Sequence, residues 1–500
     1  MGKSYKNLLL STFAFMVCFA AWTINGVLIT FLVDNGVYKW DSSQTGLLLG
    51  APILTGALLR LPMGTLSDRY GGKYILGAIL LLSAVPIYFL SFADNYTSFL
   101  LLGLGYGISG SSFAAGVAYT SVWFPQNKQG TVLGIFGGGT LGAALTTFIA
   151  PTLLKNFTEG GSNLDNWRRL PEYYAIGLII MGIIFLVFAN NKRAAQEPRS
   201  LIQLLSPLKQ IRVWRFGLYY FLVFGSFVAL SQWLIGYYLN VYSTSLITAG
   251  LLATLFSFPA AIIRAAGGLI SDKFGARKVL YWVFGLSCVC SFLLIFPRME
   301  VYTPGSGISA VKSGTVSFVS DTLIIIDEQK YNLKIAGNQT HVEADQQETK
   351  DLDNKTFIFP TKQTWTQPVV KAGDKVDKRQ IIAKGVTRVY FQANMWVFTG
   401  IIFVIAILWG IGSAAVYKHI PTYFPKEVGV VGGMVGVLGA LGGFFLPIVF
   451  GFLLELTGLW TTMWILLVAL SAVCLTWMHN VISKMMKQEV PDLIRKIEHH

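Results

Sequence analysis

The sequence predicts an all-α polytopic membrane protein. About twelve transmembrane helices are expected, in two halves of about six, with a small β-rich extracytoplasmic insertion. Three observations carry this. Of 500 residues, 53% are hydrophobic and only 13% are charged, against about 25% charged in an ordinary soluble chain. Apolar runs of roughly 20 residues recur, each long enough to cross a bilayer core of ~30 Å as a helix. The two halves also repeat each other's motifs.

The apolar runs place spans at approximately 8–33, 43–66, 74–93, 98–123, 130–154, 171–190, 214–240, 245–270, 278–297, 393–418, 428–454 and 461–481. Lys3 and Lys6 precede the first run in the manner of a secretory leader. The run is too long for one and lacks a small-x-small cleavage site, so it is taken as the first span. Lysine and arginine set orientation. With the N-terminus inside, the inner segments hold Lys3, Lys6, Arg69, Lys73, Lys209, Arg212, Arg277, Lys278, Lys418 and Lys484 among others, while the short outer loops hold only Lys39, Lys155, Arg168 and Arg169. Both termini are therefore expected in the cytoplasm, with the chain in the cell inner membrane. This organisation divides the chain into an N-terminal half (1–190), a basic cytoplasmic linker (191–213), three helices (214–297), the insertion (298–392), three more helices (393–481) and a cytoplasmic tail (482–500).

The net charge of +14 does not point to nucleic acid, because no basic stripe or recognition module appears. It fits loops that face membrane lipid. Cys18, Cys288, Cys290 and Cys474 all fall in apolar runs without metal or disulfide spacing, and read as small packing residues. No cofactor or metal is expected.

The insertion has a different composition. Alternating stretches such as TVSFV and TLIII, with turn signals at GNQT and AGDK, predict strands and hairpins. AVKSGTVSFVSDTLIIID and PVVKAGDKVDKRQIIAKG together resemble a small barrel-sandwich fold of the biotinyl/lipoyl type. No Met-Lys-Met is present, so a structural module or a docking site for an extracytoplasmic partner is expected rather than an acyl carrier.

RLPMGTLSDRYGGK at 60–73 aligns with RAAGGLISDKFGARK at 264–278. Arg60 matches Arg264, Ser67-Asp68 matches Ser271-Asp272, and Gly71 matches Gly275. WFPQNKQGTVLGIFGGGTLG at 123–142 echoes YFPKEVGVVGGMVGVLGALGG at 423–443. Repeated six-span halves, with a charged loop after the second and eighth spans, resemble the major facilitator superfamily. That resemblance implies a major facilitator fold that binds substrate near the midplane between rocking halves.

Of 39 lysines and arginines, all but three fall in loops, tails or the insertion. Arg215 is at the inner edge of the seventh span and is expected to snorkel to the cytoplasm. Arg60 and Arg264 remain, about 10–12 Å from their inner turns at 1.5 Å per residue. Asp34, Glu172 and Glu455 all lie near span ends, so neither arginine has an evident counter-ion. Ionisable groups inside spans are expensive and mark function. Two unpaired guanidiniums imply an anionic substrate, and their planar forks suit a planar oxyanion. Asp68, Arg69, Asp272 and Lys273 sit in the inner turns and are expected to gate. Glycine series at 103–116, 134–142 and 432–443 permit close helix contact, and exposed backbone there could also touch a small substrate.

Three segments narrow the family. KEVGVVGGMVGVLGALGGFFLP (426–447), GSSFAAGVAYTSVWFPQNKQGTVLG (110–134) and YFLVFGSFVALS (220–231) resemble, in order, the eleventh, fourth-to-fifth and seventh span signatures of the nitrate/nitrite porter family. The resemblance implies that Arg60 and Arg264 bind nitrate and nitrite, Tyr220 donates a hydrogen bond, and Phe113 forms an aromatic wall. Gly139, Thr140, Gly436 and Gly439 would flank the site. Thr140 is a departure, since the family carries asparagine there. Selectivity among nitrate, nitrite and another small anion stays open on that account.

The expected function is nitrate/nitrite antiport by alternating access, in a protein that is a monomer and not an enzyme. Proton-coupled nitrate symport, transport of a formate- or oxalate-like anion, and a membrane sensor built on the insertion are the alternatives. The span interiors hold almost no His, Asp or Glu to relay a proton, which favours antiport.

Overall fold

A computed structural model describes residues 2–193, 205–295, 299–334, 361–390, 395–424 and 428–498. Linker residues 194–204 and the GNQT turn lie outside the described residues. Twelve described helices are long and apolar enough to cross a membrane: Lys3–Asp34, Ser42–Tyr70, Gly72–Leu90, Tyr96–Ser121, Thr131–Phe157, Leu164–Phe188, Ile211–Tyr242, Leu246–Arg264, Ala276–Leu293, Met395–Ile420, Val430–Thr457 and Thr462–Lys484. They are numbered here as first to twelfth spans. The last helix continues to Glu498, where a tail was expected from 482. The segment KMMKQE is made of good helix formers, which carry the helix onward.

Short polar residues cap the second, fourth and eighth spans. Asp41 accepts from the Gln44 N–H at 2.6 Å, and the Gln44 side chain accepts from the Asp41 N–H at 3.2 Å. This reciprocal pair satisfies two orphan donors of the second span. Asn95 and Ser245 cap the fourth and eighth spans in the simpler way. The repeated glycines explain the span ends. Gly71 has φ +96° and Gly275 φ +82°, a backbone region that side chains with a Cβ avoid.

Several spans depart from regular helix. The second ends one helix at Leu58 and begins another at Arg60. Pro62 has no N–H for the Leu58 carbonyl, and its ring clashes with it, so the break falls where proline chemistry puts it. The repeat-related eighth span runs unbroken over Leu246–Phe274. It carries Ala266 where the second has Pro62. The fourth and fifth spans contain 3₁₀ turns at Gly107–Ser111 and Gly138–Thr140. The seventh widens into a π turn at Phe221–Gly225.

The first and seventh spans are the most enclosed, and the ninth and twelfth the least. Outward faces are apolar: Leu82, Leu101, Val187, Leu269 and Trp282 are all exposed, as a lipid-facing surface requires. The halves close on each other at the end opposite the chain termini. A Cβ on Gly46 of the second span would fall 2.3 Å from the Pro447 carbonyl oxygen of the eleventh. One on Gly26 of the first would fall 2.7 Å from Cα of Gln232 in the seventh. Thr147 and Thr254 join the fifth and eighth spans, oxygen to oxygen at 2.8 Å. Ser43 bonds Glu455 at the same end.

Residues Leu293–Ile401 form a separate compact unit. Strands β1 (Met299–Ser309), β2 (Gly314–Val319), β3 (Leu323–Ile326), β4 (Gln329–Asn332), β5 (Thr361–Pro368), β6 (Lys375–Val376) and β7 (Ile381–Tyr390) make two sheets, ordered β1-β7-β5 and β4-β3-β2-β6. All pairings are antiparallel. Val316, Ile324, Ile326, Val376 and Ile382 form its own core. The AGDK turn closes through Gly373 (φ +93°), with the Asp374 carboxylate accepting from the Lys371 N–H at 2.8 Å.

Candidate functional site

Arg60 and Arg264 converge on the same two rings. The Arg60 guanidinium lies 5.1 Å from the Phe113 centroid and 5.3 Å from Phe224. The Arg264 guanidinium lies 5.6 Å and 5.4 Å from the same rings. Trp22 adds a third aromatic face to Arg60 at 5.7 Å. The π turn carries Phe224 just after Tyr220, and the two rings stack at 4.9 Å. Wide helical turns of this kind are rare and concentrate at functional sites.

The two arginines are held differently. Arg60 is only 2% exposed, and its Nη1 donates to the Gly436 carbonyl at 2.7 Å. Its Nε and Nη2 are buried and make no hydrogen bond. Those two donors form one edge of the guanidinium, the parallel fork that meets a planar oxyanion. Arg264 is half-buried and donates from Nη2 to the Tyr220 hydroxyl at 2.6 Å. Neither arginine forms an ion pair among the described residues.

Energies decide what this means. Burying an unpaired ion costs several kcal/mol even after relaxation. Ring contacts return ~0.5–2 kcal/mol each, and one carbonyl bond to a charged donor about 1.5–3. These contacts hold the charge in place and leave the free edge of Arg60 unsatisfied.

The eleventh span supplies backbone and room. Gly436 presents its carbonyl to Arg60, and a Cβ there would fall 2.9 Å from the Tyr417 hydroxyl. Gly439 gives space to Tyr220, whose Cδ1 lies 2.1 Å from where a Cβ would stand. Tyr417 sets its ring edge-on to Tyr220 at 5.0 Å and donates to the Gly432 carbonyl at 3.2 Å.

Of the expected site residues, Arg60, Arg264, Tyr220, Phe113, Gly436 and Gly439 are therefore gathered at one place. Gly139 and Thr140 make their contacts elsewhere. A Cβ on Gly139 would meet Phe15 of the first span at 2.3 Å. The Thr140 hydroxyl donates to the Gly137 carbonyl of its own helix at 3.0 Å. Gly137, just before the 3₁₀ turn, faces the eighth span: a Cβ there would stand 3.7 Å from the Arg264 Nε. Trp22, Phe224, Tyr417 and Gly137 were not among the expected residues. Phe224 was legible, four residues after Tyr220 on one helix face.

The four inner-turn residues make separate contacts. Asp272 pairs with Lys418, which joins the eighth and tenth spans of one half. Arg69 and Lys273 lie over the neighbouring rings of Tyr70 and Phe274. Asp68 forms no ion pair among the described residues. Arg215 does not snorkel as expected. It is 8% exposed, because the seventh span enters the bundle within its first turn and the ninth, tenth and twelfth spans surround it. Among the described residues no group of His, Cys, Asp and Glu could hold a metal ion.

A family model described as Major Facilitator Superfamily matches residues 10–325. A probable nitrate/nitrite antiporter of Thermus thermophilus is 36% identical over 501 residues, covering 99% of this chain and 95% of that protein. The chain belongs to the nitrate/nitrite porter family of the major facilitator superfamily. A nitrite extrusion protein of Bacillus subtilis (strain 168) is a more distant porter, 23% identical over 460 residues, with 92% and 89% of the chains covered. Among solved structures, a bacterial homologue of the lysosomal transporter Spinster, inward-facing and unoccupied, superposes with a TM-score of 0.62 at 13% identity, covering 97% and 98% of the chains. A nucleoside transporter gives 0.59 at 10% identity, covering 96% and 99%. These structural likenesses concern the fold of the porter.

Proposed function

We propose that this multi-pass transporter of nitrate and nitrite exchanges one anion for the other by alternating access, with Arg60 and Arg264 as the anion's counter-charges. The observation that carries the reading is the buried Nε/Nη2 edge of Arg60, unpaired and facing the same aromatic rings as Arg264. A planar monovalent oxyanion would accept two parallel bonds from that edge. The names of the porter's relatives support nitrate and nitrite as the substrates.

Empty, two guanidiniums oppose closure: at an effective dielectric of ~20, like charges roughly 4–8 Å apart repel by about 2–4 kcal/mol. A bound anion removes that repulsion and lets the halves rock. Phe113, Phe224 and Trp22 exclude water, and Tyr220 and Gly436 orient the two forks. Basic inner segments support cytoplasmic termini in the inner membrane. On that orientation the closed end is extracytoplasmic. The insertion then lies outside, where it is a docking module for a partner, and the transport unit is a monomer. No catalytic chemistry is needed for this role.

Purified protein in proteoliposomes tests the exchange. Internal nitrite should stimulate uptake of labelled nitrate. A monovalent-for-monovalent exchange moves no net charge, so an imposed membrane potential should not change the rate. Uptake driven equally well by a proton gradient without internal anion would sink the exchange reading. Arg60→Lys keeps the charge but loses the planar fork. It should lower the apparent nitrate affinity about 10–100-fold, the worth of one or two charge-assisted hydrogen bonds.

A further inference from the structure

A second cationic cluster lies away from the anion site, where the seventh, ninth, tenth and twelfth spans end beside the termini. We propose that it binds a phosphate-bearing anion, with the headgroup of an anionic lipid as the source its walls favour. Arg215, Arg277, Tyr219, Tyr423 and His419 line one pocket. None of its lining residues is acidic. Arg215 is more than nine-tenths buried, lies 5.3 Å from the Phe216 ring, and makes no hydrogen bond or ion pair among the described residues. The hydroxyl of Tyr219 is buried beside it, also without a partner. At the exposed mouth Arg277 donates to the Tyr423 hydroxyl at 2.6 Å, and Arg212 covers the Tyr423 ring at 5.4 Å.

Charge density and donor geometry give the ligand class. Two guanidiniums and a hydroxyl, with a third guanidinium flanking, suit a tetrahedral oxyanion that accepts several charge-assisted bonds at once. The walls argue for a lipid. Met478, Val481 and Ile482 form the side contributed by the twelfth span. Ile211, Trp214 and Trp282 are exposed on the adjoining spans. A cationic head site beside exposed apolar surface, at the ends of membrane spans, is how basic pockets between helices hold lipid headgroups.

Native mass spectrometry and thermal-shift titration of the full-length detergent-purified protein test this with three probes: dioctanoyl phosphatidylglycerol, dioctanoyl phosphatidylcholine and inorganic phosphate. Phosphatidylglycerol should bind at least about tenfold more tightly than phosphatidylcholine, and Arg215→Gln should abolish that preference. Nitrate affinity at Arg60 and Arg264 should stay within about twofold of the native value. Arg277→Gln changes an exposed residue, so it carries the test if Arg215→Gln fails to fold. The variant Lys3→Gln/Lys6→Gln removes charge elsewhere at the same end and should leave the preference intact. If inorganic phosphate binds with the same arginine dependence and the acyl chains add nothing, the site holds and its source is a free phosphate. No phosphate-dependent binding, or an equal loss in the Lys3/Lys6 variant, overturns the proposal.

Discussion

At the scale of single residues, the anion site rests on side chains that glycine makes room for. Gly439 and Tyr220 are the sharpest case. In Gly439→Ala the new Cβ would stand 2.1 Å from Cδ1 of Tyr220, so the ring must swing and release its bond to Arg264. Nitrate affinity, measured by calorimetry, should fall about tenfold, the worth of one charge-assisted hydrogen bond. Gly433 is the control on the same helix. Its Cβ would meet only Cδ2 of Leu61 at 3.6 Å, an ordinary contact, so Gly433→Ala should bind normally. Equal affinity in both variants would count against the role given to Tyr220. The arginines were legible because each sits alone in an apolar run and the repeat doubles the signal. The aromatic walls were harder. The chain is 14% aromatic, and nothing in spacing separates Trp22 or Tyr417 from rings that only pack. Gly137 was missed because it is one of several glycines in the 134–142 series, and spacing alone does not say which of them faces the eighth span.

At the scale of elements, the two repeats hold the same charge in unlike geometry. The second span breaks at Leu59 because of Pro62, while the eighth continues past Arg264. The break coincides with the deeper arginine, whose Nη1 reaches across to the eleventh span. A proline inside a helix costs ~3 kcal/mol, which neighbouring groups partly offset in a membrane. Pro62→Ala should restore the bond to the Leu58 carbonyl and straighten the span. Thermal stability should hold or rise, while nitrate/nitrite exchange falls about tenfold or more as Arg60 leaves the Gly436 carbonyl. Native exchange with a raised melting temperature would show that the break serves nothing. The number and order of spans could be read from apolar periodicity. Their internal breaks could not, apart from this proline, since the 3₁₀ and π turns follow from tertiary packing of glycines such as Gly225 against Gly442.

At the scale of the whole transport unit, alternating access needs the outer contacts to form and part in each cycle. They are contacts of glycines with facing backbone, so their strength depends on close approach. Gly46 against Pro447, Gly451 against Ser42 and Gly26 against Gln232 all lie too near for a side chain. Gly46→Val places a branched wedge between the second and eleventh spans and should hold the outer end open. Gln232 reports on this, being fully buried with both amide atoms unpaired. A cysteine fills that position as a small hydrophobe at little cost. Cys288 and Cys290, which are only partly buried, are first replaced by serine. In that background Gln232→Cys should resist an impermeant maleimide added outside, and should label at least about tenfold faster once Gly46→Val is added. Nitrate binding should persist, because the wedge is remote from Arg60 and Arg264, whereas exchange should stop. Unchanged labelling with full exchange would mean that the outer contact is not the gate.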